Sequence, residues 1–290
     1  MIKRKRKMNL LYIPALIFLL LFVIYPLGNA FYISLQKWNG YSQVKTFIGF
    51  KNYISMFQDK YFWTALGNTL LYGFGSTILE QIFGLALAVF VNSKFKTRNA
   101  LRTIVYLPAL ISGLVMGYIL YFFFQYDNGV INEIIGWFGF APVDWMASGK
   151  MARIIIVIVN TWQFTGLSMI IYLAGLQGVS EEYYEAAKLD GGSSWSIFYN
   201  VTLPLIYPSI QSSIVFNLIG GLKLFDVIRS LTGGGPGNAT HSLATYLTHE
   251  YFDAEKAGYA GALGVFMFFL IMVIAFVINS AFRKKGEDLM

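Results

Sequence analysis

The stretch SEEYYEAAKLDGGSSWSIFYNVTLPLIYP, residues 180–208, is a polar segment inside a strongly apolar chain. Ser180 is a good helix N-cap, and Glu181 and Glu182 would follow it in the first helical turn, where acidic side chains stabilise a helix. Ala186 and its neighbours are good helix formers and continue the pattern. The start of the stretch therefore predicts one short, charged helix.

The second half of residues 180–208 predicts a reversal and another short helix. Asp190-Gly191-Gly192 should end the first helix, because glycine tolerates the positive φ that a reversal needs. Ser193 or Ser194 can then cap a second helix, which we expect Pro204 to end. Two short helices joined by a glycine turn form a slim, charged protrusion, which suits docking into a groove of another protein.

The spacing inside this stretch resembles a known motif. Glu185-Ala186-Ala187 is followed after three residues by Gly191, nine residues later by Val201, and then by Leu203-Pro204. This resembles the EAA loop of ABC importer membrane subunits, with Val201 where isoleucine is more usual. An ordinary interfacial helix pair is the alternative interpretation.

The resemblance implies an all-α integral membrane protein with the type I ABC importer permease fold. In that family the first short helix is a cytoplasmic coupling helix seated in a cleft of the ATP-hydrolysing subunit, where the acid matching Glu185 faces a basic residue. It implies that the residues coupled to the ATPase are Glu185, Ala186, Ala187, Asp190, Gly191, Leu203 and Pro204.

Composition independently indicates a membrane protein. Of the 290 residues 56% are hydrophobic and only 13% are charged, which is unlike the surface of a soluble globule. The net charge of +7 comes from basic residues beside apolar runs, so it indicates membrane topology and no nucleic-acid partner. Without cysteine the chain has no disulfide and no thiolate chemistry. His241 and His249 are too few for a His-rich metal site, and we expect them to be solvated.

Six apolar runs are long enough to cross a bilayer as helices. Each has about 20 residues or more, which spans roughly 30 Å of hydrocarbon. We predict a single transmembrane domain over residues 1–290, with spans at residues 10–35, 66–91, 104–124, 154–176, 209–228 and 259–282.

The distribution of lysine and arginine predicts the orientation. With the N-terminus inside, the inner segments hold 13 of the 22 basic residues, chiefly at residues 3–7, 94–102 and 283–285, and the outer segments hold 8. By the positive-inside rule both termini are cytoplasmic, and the first span is uncleaved. Residues 180–208 are also inside but hold only one basic residue, Lys188, which suits a charge chosen for a protein partner.

Several polar residues fall inside the predicted spans. Glu80 either faces the bundle interior or is hydrated near the inner membrane surface, and the sequence does not choose between these positions. Lys223 and Asp226 are three apart and could pair on one helix face. Gly113 and Gly117 have the spacing that lets helices approach closely, which indicates packing.

Two further segments resemble carbohydrate-type permeases of the maltose-transporter kind. They are the first outer segment, with Phe47-Ile48-Gly49, and the turn at residues 231–236 after the fifth span. This resemblance implies a sugar or oligosaccharide substrate, whose path we expect to include Gln163, Asn217, Lys223 and Asp226. Amide side chains suit hydroxyl-rich ligands because each offers donors and acceptors. The alternative for the amides is hydrogen bonding between helices.

We therefore expect a permease subunit that forms half of a translocation path. The family implies a second, homologous permease, two ATP-binding subunits and an extracellular substrate-binding protein. The sequence has no P-loop, so the chain is not expected to hydrolyse ATP or to bind a cofactor, and ATP and Mg²⁺ would bind the partner subunits. The alternative from another class is a secondary carrier or channel that works alone.

Overall fold

The computed structural model describes residues 12–93 and 95–287. The basic cluster at residues 3–7, Lys94 and the first two residues of the span predicted at 10–35 lie outside this range. In chain order the elements are α1 Ile13–Ser34, β1 Gln36–Lys37, β2 Thr46–Phe47, α2 Lys51–Gln58, α3 Lys60–Asn92, α4 Arg98–Leu110, α5 Gly113–Phe124, α6 Val130–Trp137, α7 Gly149–Gln177, α8 Glu181–Leu189, α9 Ser194–Ile197, α10 Leu203–Leu205, α11 Tyr207–Leu222, α12 Asp226–Leu231, α13 Leu243–Thr248 and α14 Ala257–Glu287. π-helical turns occur at Leu20–Ile24, Leu71–Gly75, Phe198–Thr202 and His249–Asp253.

The chain divides into two compact units. Unit 1 comprises Met1–Trp63 with Tyr246–Leu270, and unit 2 comprises Thr64–Thr245 with Ile271–Met290. The boundaries between the units fall within α3, α13 and α14.

Unit 1 is organised around the short antiparallel pair β1 and β2, in which Gln36 lies opposite Phe47. Asn52 fixes the start of this pair, because its Nδ2 donates to the carbonyl oxygens of Ser34 at 2.7 Å and Gln36 at 2.9 Å. Gly258 lies against the same place: a Cβ there would be 1.9 Å from the Gln36 carbonyl oxygen. Only glycine permits that approach of backbone to backbone.

Unit 2 is a helical bundle in which α3 packs along α7. One buried apolar cluster includes Tyr72, Ile156 and Ile228, and a second includes Met169 and Tyr172. The helices approach closely where small residues meet. A Cβ on Gly84 of α3 would be 2.4 Å from the Cβ of Ser168 in α7. This packing of small residues is typical of helices associated in a membrane.

The described residues contain four helices long and apolar enough to cross a membrane: Ile13–Ser34, Lys60–Asn92, Gly149–Gln177 and Ala257–Lys284. They fall on the runs predicted at residues 10–35, 66–91, 154–176 and 259–282. None of the most apolar stretch of Ile13–Ser34 is buried in the chain. An apolar helix without protein contacts must be covered by lipid or by another subunit.

The span predicted at residues 104–124 is not one straight helix. α4 and α5 pass the same test together but meet at an angle of 99°. Pro108 lies inside α4 instead of ahead of the span, and the bend follows at Ile111, whose backbone is extended with ψ of 134°. The Ile111 carbonyl oxygen accepts a hydrogen bond from Gln163 Nε2 at 3.1 Å. That bond supplies a partner to backbone at the helix break.

The small-residue prediction for α5 is confirmed. A Cβ on Gly113 would be 2.7 Å from the Asp226 Cβ, and one on Gly117 would be 1.8 Å from Ser230 Oγ. The two glycines thus let α5 lie directly on α12.

The span predicted at residues 209–228 is also interrupted. α11 ends at Leu222, and α12 begins at Asp226. At the break the Leu224 carbonyl oxygen accepts a hydrogen bond from Ser242 Oγ at 2.7 Å. Lys223 and Asp226 therefore do not share a helix face, and the residues that the structure describes show no ion pair between them. The predicted pairing of these two side chains was wrong, because it assumed a continuous helix.

Candidate functional site

The predicted polar hairpin is present as α8 and α9. Ser180 Oγ accepts a hydrogen bond from the Glu182 backbone N–H at 3.4 Å, and Ser193 Oγ accepts one from the Ser196 N–H at 3.2 Å. Gly191 lies between the helices with φ of 77°, a conformation that favours glycine. Both caps and the glycine turn are as the sequence predicted.

The end of the second helix differs from the prediction. The chain continues through the π-helical turn Phe198–Thr202 into α10 and turns only at Ile206. Pro204 lies in the first turn of α10, where its missing N–H leaves no hydrogen bond unmade. Pro204 therefore does not end the helix.

The hairpin is exposed along its length. No residue of α8 or α9 is buried, and Glu185 and Ala186 are both open to solvent. Leu189 is 89% exposed and Trp195 is 70% exposed. Large apolar side chains clustered at a surface mark a contact with another molecule. Leu189 was not singled out from the sequence, although its place just before the glycine turn is visible there.

The motif residues of the hairpin have distinct places. The Ala186 and Ala187 carbonyl oxygens accept hydrogen bonds from the N–H groups of Asp190 at 3.0 Å and Gly192 at 2.9 Å, which closes the turn. Leu203 packs against the cluster that contains Met169 and Tyr172. The motif thus spans an exposed turn and an anchored root.

A second candidate site is an enclosed cavity of about 210 Å³ in unit 2, here called the central cavity. It is lined mainly by α7, α11 and the segment that joins α11 to α12. All four residues predicted for the substrate path line it: Gln163, Asn217, Lys223 and Asp226. Glu80, Asn160 and three aromatic side chains, Phe164, Phe216 and Phe225, line it as well.

The polar side chains of the central cavity are held by specific hydrogen bonds. Asn160 Nδ2 donates to Ser76 Oγ at 2.9 Å and to Glu80 Oε1 at 3.1 Å. Asn217 Nδ2 donates to Ser168 Oγ at 2.5 Å. Glu80 is therefore a wall residue of the cavity, which decides between the two positions that the sequence left open. Of these residues, sequence reasoning placed neither Glu80 nor Asn160 in the site, although the polar cluster that begins at Asn160 was visible.

A larger, more open cavity of about 800 Å³ lies in unit 1, and its wall includes Asp59 and Trp38. Asp59 Oδ2 accepts hydrogen bonds from the hydroxyls of Tyr246 and Tyr259. Burial raises the pKa of Asp59, but these hydrogen bonds and one from the Tyr61 N–H outweigh it, so the pKa lies below its ordinary value. Because the Asp59 carboxylate is satisfied by its own unit, its first role is to hold that unit together.

The glycine-rich turn after α12 is fixed from within unit 2. Asn68 Nδ2 donates to the carbonyl oxygens of Ala239 at 2.8 Å and His241 at 2.9 Å. His241 is buried and its Nδ1 lies 3.0 Å from Thr245 Oγ1, so the prediction that it is solvated was wrong. The turn carries a structural histidine that composition alone could not place. Residues 12–93 and 95–287 hold no cluster of three or more metal-ligating His, Asp or Glu side chains.

Comparison with known proteins assigns the family. Residues 81–286 match the family model described as binding-protein-dependent transport system inner membrane component. The chain belongs to this family. As a binding-protein-dependent transport component it is a multi-pass membrane protein, a permease subunit of an ABC transporter and not itself an ATPase.

Relatives of this permease match over nearly its whole length. The trehalose/maltose transport system permease protein MalF of Thermococcus litoralis is 33% identical over 278 residues, which cover 96% of this chain and 94% of the relative. The probable starch degradation products transport system permease protein AmyD of Thermoanaerobacterium thermosulfurigenes is 36% identical over 276 residues, which cover 94% and 92%.

A solved structure gives the fold of the permease. A chain of a bacterial ABC transporter involved in import of the acidic polysaccharide alginate matches with a TM-score of 0.83 and 27% identity, covering 98% of this chain and 97% of that one. A bacterial alginate ABC transporter is also known in complex with a periplasmic protein that holds an alginate pentasaccharide. The helical architecture described above is therefore the type I ABC permease fold.

Proposed function

We propose that this permease forms half of the translocation path of an ATP-driven importer for a sugar or oligosaccharide. The observation that carries the proposal is the central cavity, where the amides of Asn160, Gln163 and Asn217 meet among apolar helices. Amides supply both donors and acceptors to hydroxyl groups. Aromatic side chains on the same wall suit the apolar faces of sugar rings. The relatives named for maltose, trehalose and starch products support the same substrate class.

The exposed hairpin is the proposed contact with the motor. Its free surface combines the acid Glu185 with the apolar side chains of Leu189 and Trp195, and a cleft on an ATPase subunit would bury them together. The hairpin is a coupling helix in this proposal. ATP binding would close the ATPase pair, move the hairpins and favour one of two permease conformations. Uptake is directional because ATP binds those conformations with different affinity.

The proposed topology has six crossings with both termini in the cytoplasm. Four are the long helices α1, α3, α7 and α14. The bent pair α4 and α5 would form another crossing, and α11 with α12 would form the sixth. The excess of lysine and arginine on the inner segments supports this orientation, which places the hairpin inside with the ATPase.

The proposed partners follow from the same arrangement. A second, homologous permease would complete the path, two ATP-binding subunits would each take one hairpin, and an extracellular binding protein would deliver the sugar. ATP and Mg²⁺ would sit on the ATP-binding subunits, and this chain itself would bind no cofactor. A carrier that works alone has no need of a binding protein, so the family match argues against that alternative.

Reconstitution tests the proposal directly. The permease, its partner subunits and the binding protein encoded beside it would be placed in proteoliposomes with labelled maltose, trehalose and maltotriose. We expect uptake of at least one sugar that requires both ATP and the binding protein. Uphill accumulation by this chain alone, without nucleotide, would contradict the proposal.

The coupling role has its own variant pair. Glu185→Ala should leave insertion and assembly intact but lower sugar uptake per ATP hydrolysed. Glu181→Ala is the matched control, because Glu181 is an equally exposed acid in the first turn of the same helix. Equal coupling ratios in the two variants would show that the hairpin acid has no special role.

A further inference from the structure

Two oxygen atoms of side chains that line the central cavity accept no hydrogen bond. Glu80 is 1% exposed, and only its Oε1 has a partner, the Nδ2 of Asn160. Gln163 is also 1% exposed, and it donates from Nε2 to the Ile111 carbonyl, which leaves its Oε1 without a partner. An unpaired buried acceptor costs free energy. A ligand in this cavity therefore gains by bringing hydrogen-bond donors to these oxygens.

The charges on the cavity wall are not balanced in depth. Three charged residues line the cavity: Glu80, Lys223 and Asp226. Lys223 and Asp226 are exposed and opposite in sign, whereas Glu80 is enclosed. A charge enclosed by apolar helices acts more strongly on a ligand than one that water screens. The enclosed part of the cavity is therefore acidic, although its rim is neutral overall.

We propose that Glu80 determines charge selectivity in this permease, admitting neutral or amino sugars and disfavouring acidic ones. The inference rests on the proposed sugar function and names the substrate class more narrowly. Sugar hydroxyl or ammonium groups donate to Glu80 and Gln163. A carboxylate or sulfonate offers no donor and brings a second negative charge into a cavity of about 210 Å³.

Charge distinguishes substrates among the proteins that this permease resembles. One solved relative imports an acidic polysaccharide, and another is named for sulfoquinovosyl glycerol, whereas the MalF relative is named for trehalose and maltose. The position of Glu80 places this permease with the transporters of uncharged sugars.

The test uses three labelled probes that differ only at one end: maltitol, maltobionate and 1-amino-1-deoxymaltitol, which are neutral, anionic and cationic. Each is offered at millimolar concentration to the complete reconstituted transporter with ATP. We expect Glu80→Gln to raise the ratio of anionic to neutral uptake at least about tenfold and to lower the ratio of cationic to neutral uptake. Because wild type and variant receive the same binding protein, its own preference cancels in this comparison.

Two further variants separate charge from structure. Glu80→Asp keeps the carboxylate and should keep the wild-type ratios at a reduced rate, which also serves if Glu80→Gln does not assemble. Thr77→Val is the matched control, because Thr77 is buried one turn away in the same helix and does not line the cavity. A merely structural role for Glu80 would lower all three uptakes together.

The outcomes are distinct. Ratios that stay unchanged in Glu80→Gln, including a complete lack of anionic uptake by both proteins, overturn the charge-selectivity inference while the sugar function stands. If the wild type takes up none of the three probes, nor any sugar of the reconstitution experiment above, the proposed function fails and the inference falls with it.

Discussion

Replacement of Gly191 by alanine should weaken binding of the ATPase subunit through the backbone alone. Gly191 has φ of 77°, and a Cβ at this position would have no atom within 4 Å. The substitution therefore adds no clash, and its whole effect is the cost of holding a non-glycine residue in the left-handed region. That cost is about 1–2 kcal/mol.

This cost translates into a measurable affinity. If the strained turn must form before the hairpin docks, about 1–2 kcal/mol lowers the population of the docking conformation about 5–30-fold. We expect the Kd of the purified ATPase subunit for the permease complex to rise by the same factor, as measured by titration in detergent. Gly191→Asn should fall between wild type and alanine, because asparagine tolerates positive φ better.

A control variant isolates the effect. Gly136 lies in α6 with ordinary φ, and a Cβ added there would also have no atom within 4 Å, so Gly136→Ala should not weaken ATPase binding. Equal Kd values for wild type and Gly191→Ala would refute the argument that a preformed glycine turn presents the hairpin.

Two further predictions concern stability. Asp59→Asn should destabilise unit 1 by about 1–2 kcal/mol at pH 7, because Tyr246 and Tyr259 would donate to a neutral group instead of a carboxylate. The pKa of Asp59 is lowered in the folded state, so its contribution is present above the ordinary value of 3.8 and is lost as the pH falls below it; thermal melts of the variant should lack this acid-dependent loss, and equal melts at pH 7 would contradict the role. Gly166→Ala should cost about 1–3 kcal/mol, because its Cβ would lie 2.2 Å from the Val105 carbonyl oxygen and force α4 away from α7. A melting temperature equal to that of Gly136→Ala would show that α4 yields without cost.

Local sequence was sufficient for the hairpin. Ser180, Ser193 and Gly191 act on atoms within three residues of themselves, so their cap and turn signals are complete in the sequence. Pro204 misled the prediction because a π-helical turn before it removed the conflict that proline normally creates. That turn has no signal at the level of residue type.

The interrupted helices could not be predicted from apolar runs. Breaks at Ile111 and Leu224 are tolerated because Gln163 and Ser242 hydrogen-bond the carbonyl oxygens there, from 52 and 18 residues away. Hydropathy measures whether a segment prefers lipid, and this preference is the same for a straight helix and a broken one. Only the packed bundle supplies the distant partners that stabilise a break.

The sequence by itself determined the membrane class, the four long helices and the exposed hairpin, since composition, run length and local capping decide these features. The tertiary structure alone decided the central cavity. Glu80 meets Asn160 from 80 positions along the chain, and Asn217 meets Ser168 from 49 positions along it. A buried polar group is defined by the partners that fold around it, and no pattern of neighbours in the sequence contains them.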